Sequence, residues 1–262
     1  MLPELFSIGP LTVHSYGLLV ALGFLTGIII TVRIGRTEGI NPQLIMDLTF
    51  ILVVSAIAGS RILYVLINLS HYKTNPLDIF KIWEGGLVFS GGVTVAALSL
   101  VWYAKRKSLN LLKTADLFAP GVAVGQAIGR LGCLMAGCCY GVVTDEPWSI
   151  IFTHPKSLAP LNIPLHPTQI YSSVIGACIF LVLFILYRYR KYDGQVALWF
   201  LILHSTARLF VERFRGDDRG LVTEGMTATQ FLSLLILIFS VIALTVLKKR
   251  AKKASPDGRN HS

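Results

Sequence analysis

Three arginines, Arg61, Arg130 and Arg208, stand inside long apolar stretches of the chain. At the centre of a membrane-spanning helix each would cost roughly 2.5 to 3.5 kcal/mol on insertion scales, so each needs an anionic partner or water. Arg130 lies in GQAIGRLGCLMAGCCYG, residues 125–141, with glycine at 125, 129, 132, 137 and 141. That much glycine permits close helix approach, or an irregular backbone whose amides can reach an anion. In RLFVERFR, Arg208, Glu212 and Arg215 are spaced i, i+4, i+7, which on a helix is one face. One carboxylate cannot neutralise two arginines. The surplus charge, added to Arg130, suits a phosphate, which guanidinium groups hold through paired, directed hydrogen bonds. The plainer alternatives are a structural ion pair for Arg208 with Glu212, and an Arg130 that snorkels to the outer interface.

His166, in HPTQIY, is a candidate general base and equally a residue that orients its own loop. Cys133, Cys138 and Cys139 are close in sequence, with Cys178 a distant fourth. Their spacing matches no familiar zinc pattern, and adjacent cysteines rarely share one ion, so small apolar packing is the first expectation. A thiol or disulfide function at an oxidising outer face comes second, and metal binding third. No metal and no organic cofactor is expected.

The elements that must position these groups follow from composition. The 262 residues are 53% hydrophobic and only 15% charged, with a mean hydropathy of +0.64, too apolar for an ordinary soluble domain. A helix needs about 20 apolar residues to cross the ~30 Å hydrocarbon layer. Seven such runs recur, near Leu11–Val32, Ile45–Ile67, Leu87–Ala104, Ala115–Met135, Thr168–Tyr187, Gln195–Val211 and Met226–Leu247. They are continuous rather than alternating, which argues for an all-α bundle over a barrel. The amino terminus shows no basic region or small-residue cleavage site of a signal peptide, so the first span is expected to remain. Residues 1–247 then form one transmembrane domain and residues 248–262 a basic, disordered cytoplasmic tail.

Orientation follows from lysine and arginine. With the amino terminus outside, inner segments hold fifteen and outer segments six; the other three are Arg61, Arg130 and Arg208. The formal charge of +10 is therefore explained by short inner loops and by the tail KKRAKKASPDGRN, which attracts anionic lipid; no nucleic-acid partner is expected. On this topology the polar and glycine-rich segments gather at the outer ends of the spans. Asp47 and Asp116 sit at the inner rim near helix starts, where a carboxylate suits the dipole. A transporter should carry polar groups at several depths. A site confined to the outer half suits an enzyme acting on lipid head groups or exported polypeptides.

Eight segments, in order, resemble the prolipoprotein diacylglyceryl transferase family: HSYG at 14–17, GSRILYV at 59–65, EGGLVFSGG at 84–92, DLFAP at 116–120, GRLG with its trailing Gly141, HPTQIY, RLFVERFR, and TATQFLS at 227–233. The resemblance implies a seven-helix protein of the bacterial inner membrane, amino terminus outside. It implies transfer of the diacylglyceryl group of phosphatidylglycerol to the lipobox cysteine of a prolipoprotein signal peptide, releasing glycerol phosphate. Arg130 then corresponds to a lipid-binding arginine, Arg208 to a second essential one, and Tyr16 to a tyrosine the family also uses. Gly85, Gly86, Gly91 and Gly141 fall in the family's lipid-binding motifs. The chain departs from the pattern at Ser90, where some members carry histidine, at Cys133 for asparagine, at Cys138 for glutamate, and at Ser172, where a glutamate often follows HPxQxY.

The chemistry does not require every missing group. A phosphate ester leaves as a stable anion, so positive charge from Arg130 and Arg208 suffices where an acid might be sought. The attacking thiol is already a strong nucleophile, and His166 or Glu212 is the candidate base. Two other classes remain open: a membrane thiol oxidoreductase using Cys133, Cys138 and Cys139, and a non-catalytic lipid-binding scaffold.

Overall fold

The computed structural model describes residues 2–8, 11–81, 85–217, 221–223 and 226–254. Trp83 and Glu84 of the glycine-rich segment, Arg219, and residues 255–262 of the expected tail lie outside the described residues.

The protein is mostly helical. Among the described residues there are eight α-helices: α1 (Ser15–Thr37), α2 (Pro42–Ile67), α3 (Leu69–Thr74), α4 (Phe89–Arg106), α5 (Leu111–Ala136), α6 (Thr168–Arg188), α7 (Gln195–Glu212) and α8 (Ala228–Ala254). Five of these, α1, α2, α5, α6 and α8, are long and apolar enough to cross a membrane. This is a multi-pass membrane protein. Helices α4 and α7 have 18 residues each, about 27 Å at 1.5 Å per residue, just short of the hydrocarbon layer. Large apolar side chains such as Phe50, Leu66, Leu181 and Phe239 are exposed on the long helices, as lipid-facing surfaces require.

The expectation of helix alone is corrected at three places. Strands β1 (Glu4–Ile8) and β2 (Leu11–His14) form an antiparallel hairpin, so the first helix begins at Ser15 rather than Leu11. Thr12 and Val13 are β-branched and suit a strand, and an apolar run by itself does not distinguish the two states. Two shorter antiparallel pairs follow, β3 (Ile150–Ile151) with β4 (Pro164–Leu165), and β5 (Leu221–Thr223) with β6 (Met226–Thr227). At the other end, α8 continues to Ala254; among residues 248–254 stand good helix formers, Ala, Lys and Arg, and no glycine or proline.

Local signals account for the helix ends. Asn41 caps α2 by accepting from the Gln43 amide at 2.9 Å, with Pro42 in the first turn. Asn110 accepts from the amides of Leu112 and Lys113, which starts α5 four residues before the expected Ala115.

The contacts divide the chain into two compact units: Val32 to Thr114, and the residues up to Thr31 with those from Ala115. In the first, α2 runs along α4, and a Cβ on Gly59 would stand 2.5 Å from the carbonyl of Gly91. Only glycine allows that approach. Arg61 of α2 is buried, and its guanidinium donates to the carbonyls of Ile79, Gly85, Gly86, Asp78 and Lys81. The rings of Tyr64 and Tyr72 flank it at 5.7 and 5.6 Å. The expected anion or water is replaced here by backbone dipoles that use every donor of the group. Its role is to hold the connection between α2 and α4.

In the second unit, α1 meets α5 at small residues. A Cβ on Gly23 would lie 2.7 Å from the carbonyl of Gly125, and one on Gly27 2.8 Å from that of Gly121. Helix α6 meets α5 where Ser173 donates to the carbonyl of Ala127 at 2.8 Å, and α7 lies between α6 and α8. Asp116 is fully buried and does not serve its own helix, as its place in the sequence suggested. Its carboxylate accepts from the amides of Gly194 and Ala197, both at 2.7 Å, and so caps α7 from α5. Between α5 and α6 the chain forms a small cap whose core is Leu134, Phe152, Ala159 and Leu165.

Candidate active site

Helices α5, α6 and α7 enclose a cavity of about 40 Å³, lined on its polar side by Gln126, Arg130, Ser172, His204 and Arg208. At ~10–15 Å³ per water that is room for about three, so the guanidinium groups border a space that can hold water. Arg130 is half-buried and makes no hydrogen bond or ion pair among the described residues. Arg208 is different. Its Nη2 lies 2.8 Å from Oε2 of Glu212, whose side chain is 3% exposed. The other oxygen of Glu212 accepts from the Thr227 hydroxyl at 2.9 Å. Of the two arginines brought to the cavity, one is neutralised and held in place by a carboxylate.

The reading that put Arg215 on the same helical face needs correction. Helix α7 ends at Glu212, and Arg215 pairs in bridge fashion with Gly141 in the cap. Its Nε and Nη2 each contact one oxygen of Asp217 at 2.7 Å, a bidentate pair that uses the charge locally. The surplus at the cavity therefore comes from Arg130.

His166 lies in the cap and does not line the cavity. Its Nδ1 is 3.1 Å from the Tyr171 hydroxyl, which itself accepts from Nε1 of Trp148 at 2.7 Å. The Gly141 amide donates to the His166 carbonyl at 3.1 Å, the His166 amide donates to the carbonyl of Val142 at 3.0 Å, and a Cβ on Gly141 would stand 2.5 Å from both Cβ and the carbonyl of His166. Its lack of a side chain serves packing of the cap. Gly85, Gly86 and Gly91 belong to the unit built on α2 and α4. Gly85 and Gly86 give carbonyls to Arg61, with Gly86 at φ +75°, and Gly91 makes the close helix contact.

The three clustered cysteines converge, which their spacing did not suggest. The Sγ atoms of Cys133, Cys138 and Cys139 all lie within 4.8 Å of one another, and none of the four cysteines is in a disulfide. The chain achieves this by two left-handed residues, Gly137 at φ +76° and Cys139 at φ +64°. For Cys139, which has a Cβ, such a conformation costs of order 1–3 kcal/mol. Buried side chains fix the turn: Gln169 donates to the carbonyl of Cys138 at 2.8 Å and Thr168 to that of Cys139 at 2.7 Å. Hydrogen bonds from Cys133 and Cys138, with the Arg215 guanidinium beside them, hold the Cys139 thiol below the usual thiol range. Tyr16, exposed on α1, packs over Gly132, where a Cβ would come 3.3 Å from its ring, and so stands at the same end of α5.

His204 and Gln126 escaped the sequence reading, although a signal existed. Each precedes an arginine of the cavity by four residues, His204 before Arg208 and Gln126 before Arg130, and so shares its helical face. His204 also stacks on Phe200, with ring centroids 5.5 Å apart.

Comparison with known proteins decides the family. Residues 3–246 match the model of the prolipoprotein diacylglyceryl transferase family. The chain belongs to this family. A phosphatidylglycerol–prolipoprotein diacylglyceryl transferase of Clostridium tetani is 36% identical over 248 residues, covering 94% of this chain and 98% of the relative. The second such transferase of Clostridium perfringens is 35% identical, covering 97% of each. That of Geobacter sulfurreducens is 34% identical, covering 95% and 96%.

Proposed function

We propose that the chain transfers the diacylglyceryl group of phosphatidylglycerol to the lipobox cysteine of prolipoproteins, forming a thioether and releasing glycerol phosphate. The observation that carries this reading is the meeting of Arg130 and Arg208, from separate helices, on one cavity where a single carboxylate offsets them. The net positive charge fits a phosphodiester, and it fits better still as the bond from carbon to oxygen breaks and charge grows on the leaving phosphate. Glu212 and Thr227 hold Arg208 in position for that task. Tyr16, Gly85, Gly86, Gly91 and Gly141 are proposed lipid-binding residues as well, beyond the packing and hydrogen-bonding roles described above. For the thiol proton the candidates remain His166 and Glu212; Glu212 is engaged by Arg208, and His166 presents Nδ1 to Tyr171.

The topology proposed is seven spans, α4 and α7 joining the five longest helices, with the amino terminus outside and the site facing the periplasm of a bacterial inner membrane. The fifteen inner and six outer basic residues support that orientation. The test is a mass shift: purified chain, phosphatidylglycerol vesicles and a lipobox peptide should yield a peptide heavier by one diacylglyceryl group. The Arg130→Ala chain, folded, should yield little. Full turnover by that variant would remove the two-arginine clamp from the mechanism.

A further inference from the structure

We infer that Cys133, Cys138 and Cys139 form a three-thiolate site for a thiophilic d10 metal ion, Zn2+, with its fourth position open to an incoming thiol. The inference deepens the transferase reading and rests on it for the identity of that thiol. The geometry comes first. With metal to sulfur bonds of about 2.3 Å, tetrahedral sulfurs stand roughly 3.8 Å apart, so the trio, within 4.8 Å, needs to close by no more than about 1 Å. The backbone beneath them is already set by left-handed Gly137 and Cys139 and by the hydrogen bonds from Thr168 and Gln169.

Ligand count comes second. Among the described residues no histidine, aspartate, glutamate or further cysteine joins the group, so protein supplies three donors. Structural zinc sites are closed by four protein ligands, whereas sites with three keep a position for water or substrate. Charge selects the ion. Three thiolates with Zn2+ carry one negative charge against two with a monovalent ion, so the divalent ion leaves less charge in a half-buried site.

The open position answers the missing base. On binding the ion, the lipobox thiol gives its proton to water and remains as a coordinated thiolate. A sulfur lone pair then forms the bond to the glycerol carbon, while the carbon to oxygen bond breaks and its electron pair leaves with the phosphate. The thioether product is neutral, a weaker ligand, and departs. Arg130, three residues before Cys133 on α5, ties the anion-binding cavity to this end of the helix.

The test uses the full chain in detergent, with Zn2+ and then Co2+ as probes. One zinc per chain is expected by elemental analysis, falling at least tenfold in a Cys133→Ser, Cys138→Ser, Cys139→Ser variant. The Co2+ form should show thiolate charge-transfer absorption that rises by about one third when the lipobox peptide binds, as three sulfurs become four. Less than a tenth of a zinc per chain after reconstitution, or a disulfide within the trio in chain isolated under periplasmic redox conditions, overturns the site. A Co2+ spectrum that the peptide leaves unchanged overturns the open position. None of these readouts depends on turnover, and those made on the unsubstituted chain do not depend on the variant's folding. Metal bound with no lipid transfer would instead sink the transferase reading, and transfer that survives chelation without metal would sink only this one.

Discussion

Arg130 and Arg208 have the same proposed task but different surroundings, so truncating them should give different signatures. Arg130→Ala removes a guanidinium with no partner among the described residues; nothing buried is left unpaired, and a charge is taken out of an apolar helix. Its unfolding temperature should stay level or rise, while kcat/KM falls by about 10² to 10³, the effect of losing one donor aimed at developing charge. Arg208→Ala should lose the same in activity and also strand Glu212, whose carboxylate is 3% exposed. Breaking a buried pair by removing one partner costs roughly 3 to 5 kcal/mol. Thr227 still donates to Glu212, and the cavity admits water, so about 3 kcal/mol is expected, the low end of that range. The double change Arg208→Ala with Glu212→Gln then restores most of the stability and none of the transfer.

The assay pairs thermal unfolding in detergent with lipid transfer to a lipobox peptide, run on wild type, both single variants and the double. Stability loss in Arg130→Ala equal to that in Arg208→Ala would refute the different environments assigned to them. Recovery of transfer in the double variant would show that Arg208 serves the fold and leaves the phosphate to others.

Arg61→Lys should destabilise the α2 and α4 unit by at least about 2 kcal/mol, because an ammonium cannot reach five carbonyls and each one left bare and buried costs about 1–3 kcal/mol; hydrogen exchange around residues 76–81 checks it. Asp116→Asn keeps one acceptor and turns an amide NH2 toward a helix terminus already rich in N–H groups; a loss of about 1–3 kcal/mol, seen in thermal unfolding, is expected. Gly141→Ala should disrupt the cap by driving a methyl against His166, with overpacking of about 1–3 kcal/mol read as faster proteolysis between residues 137 and 167.

The fold was legible wherever a residue's role depends on its own segment. Long apolar runs located the helices to within a few residues, because lipid demands continuous apolar length. The ends were less legible. Leu11–His14 reads as the start of a span until Glu4–Ile8 is seen beside it, and strand pairing is a property of two segments. Asp116 shows the same limit more sharply. Its position near a helix start suggested a local dipole role, while its carboxylate caps a helix 78 residues further along the chain.

The site divides in the same manner. Arg130 and Arg208 stood out because a charge inside an apolar run is anomalous by itself, and the structure lines one cavity with both. Arg215 was misplaced because the i, i+7 argument holds only while the helix lasts, and α7 stops at Glu212. The cysteines failed for a related reason: ligand-spacing rules assume ordinary backbone between the donors, and here two left-handed residues fold a Cys-Cys pair back toward the end of α5. A left-handed cysteine is rare enough that a chain keeping one between fixed carbonyls points to what the thiols do together. By the resemblance, Cys133 and Cys138 stand where the family's signature often has asparagine and glutamate, so the departures from that signature and the converging thiols fall on the same short segment.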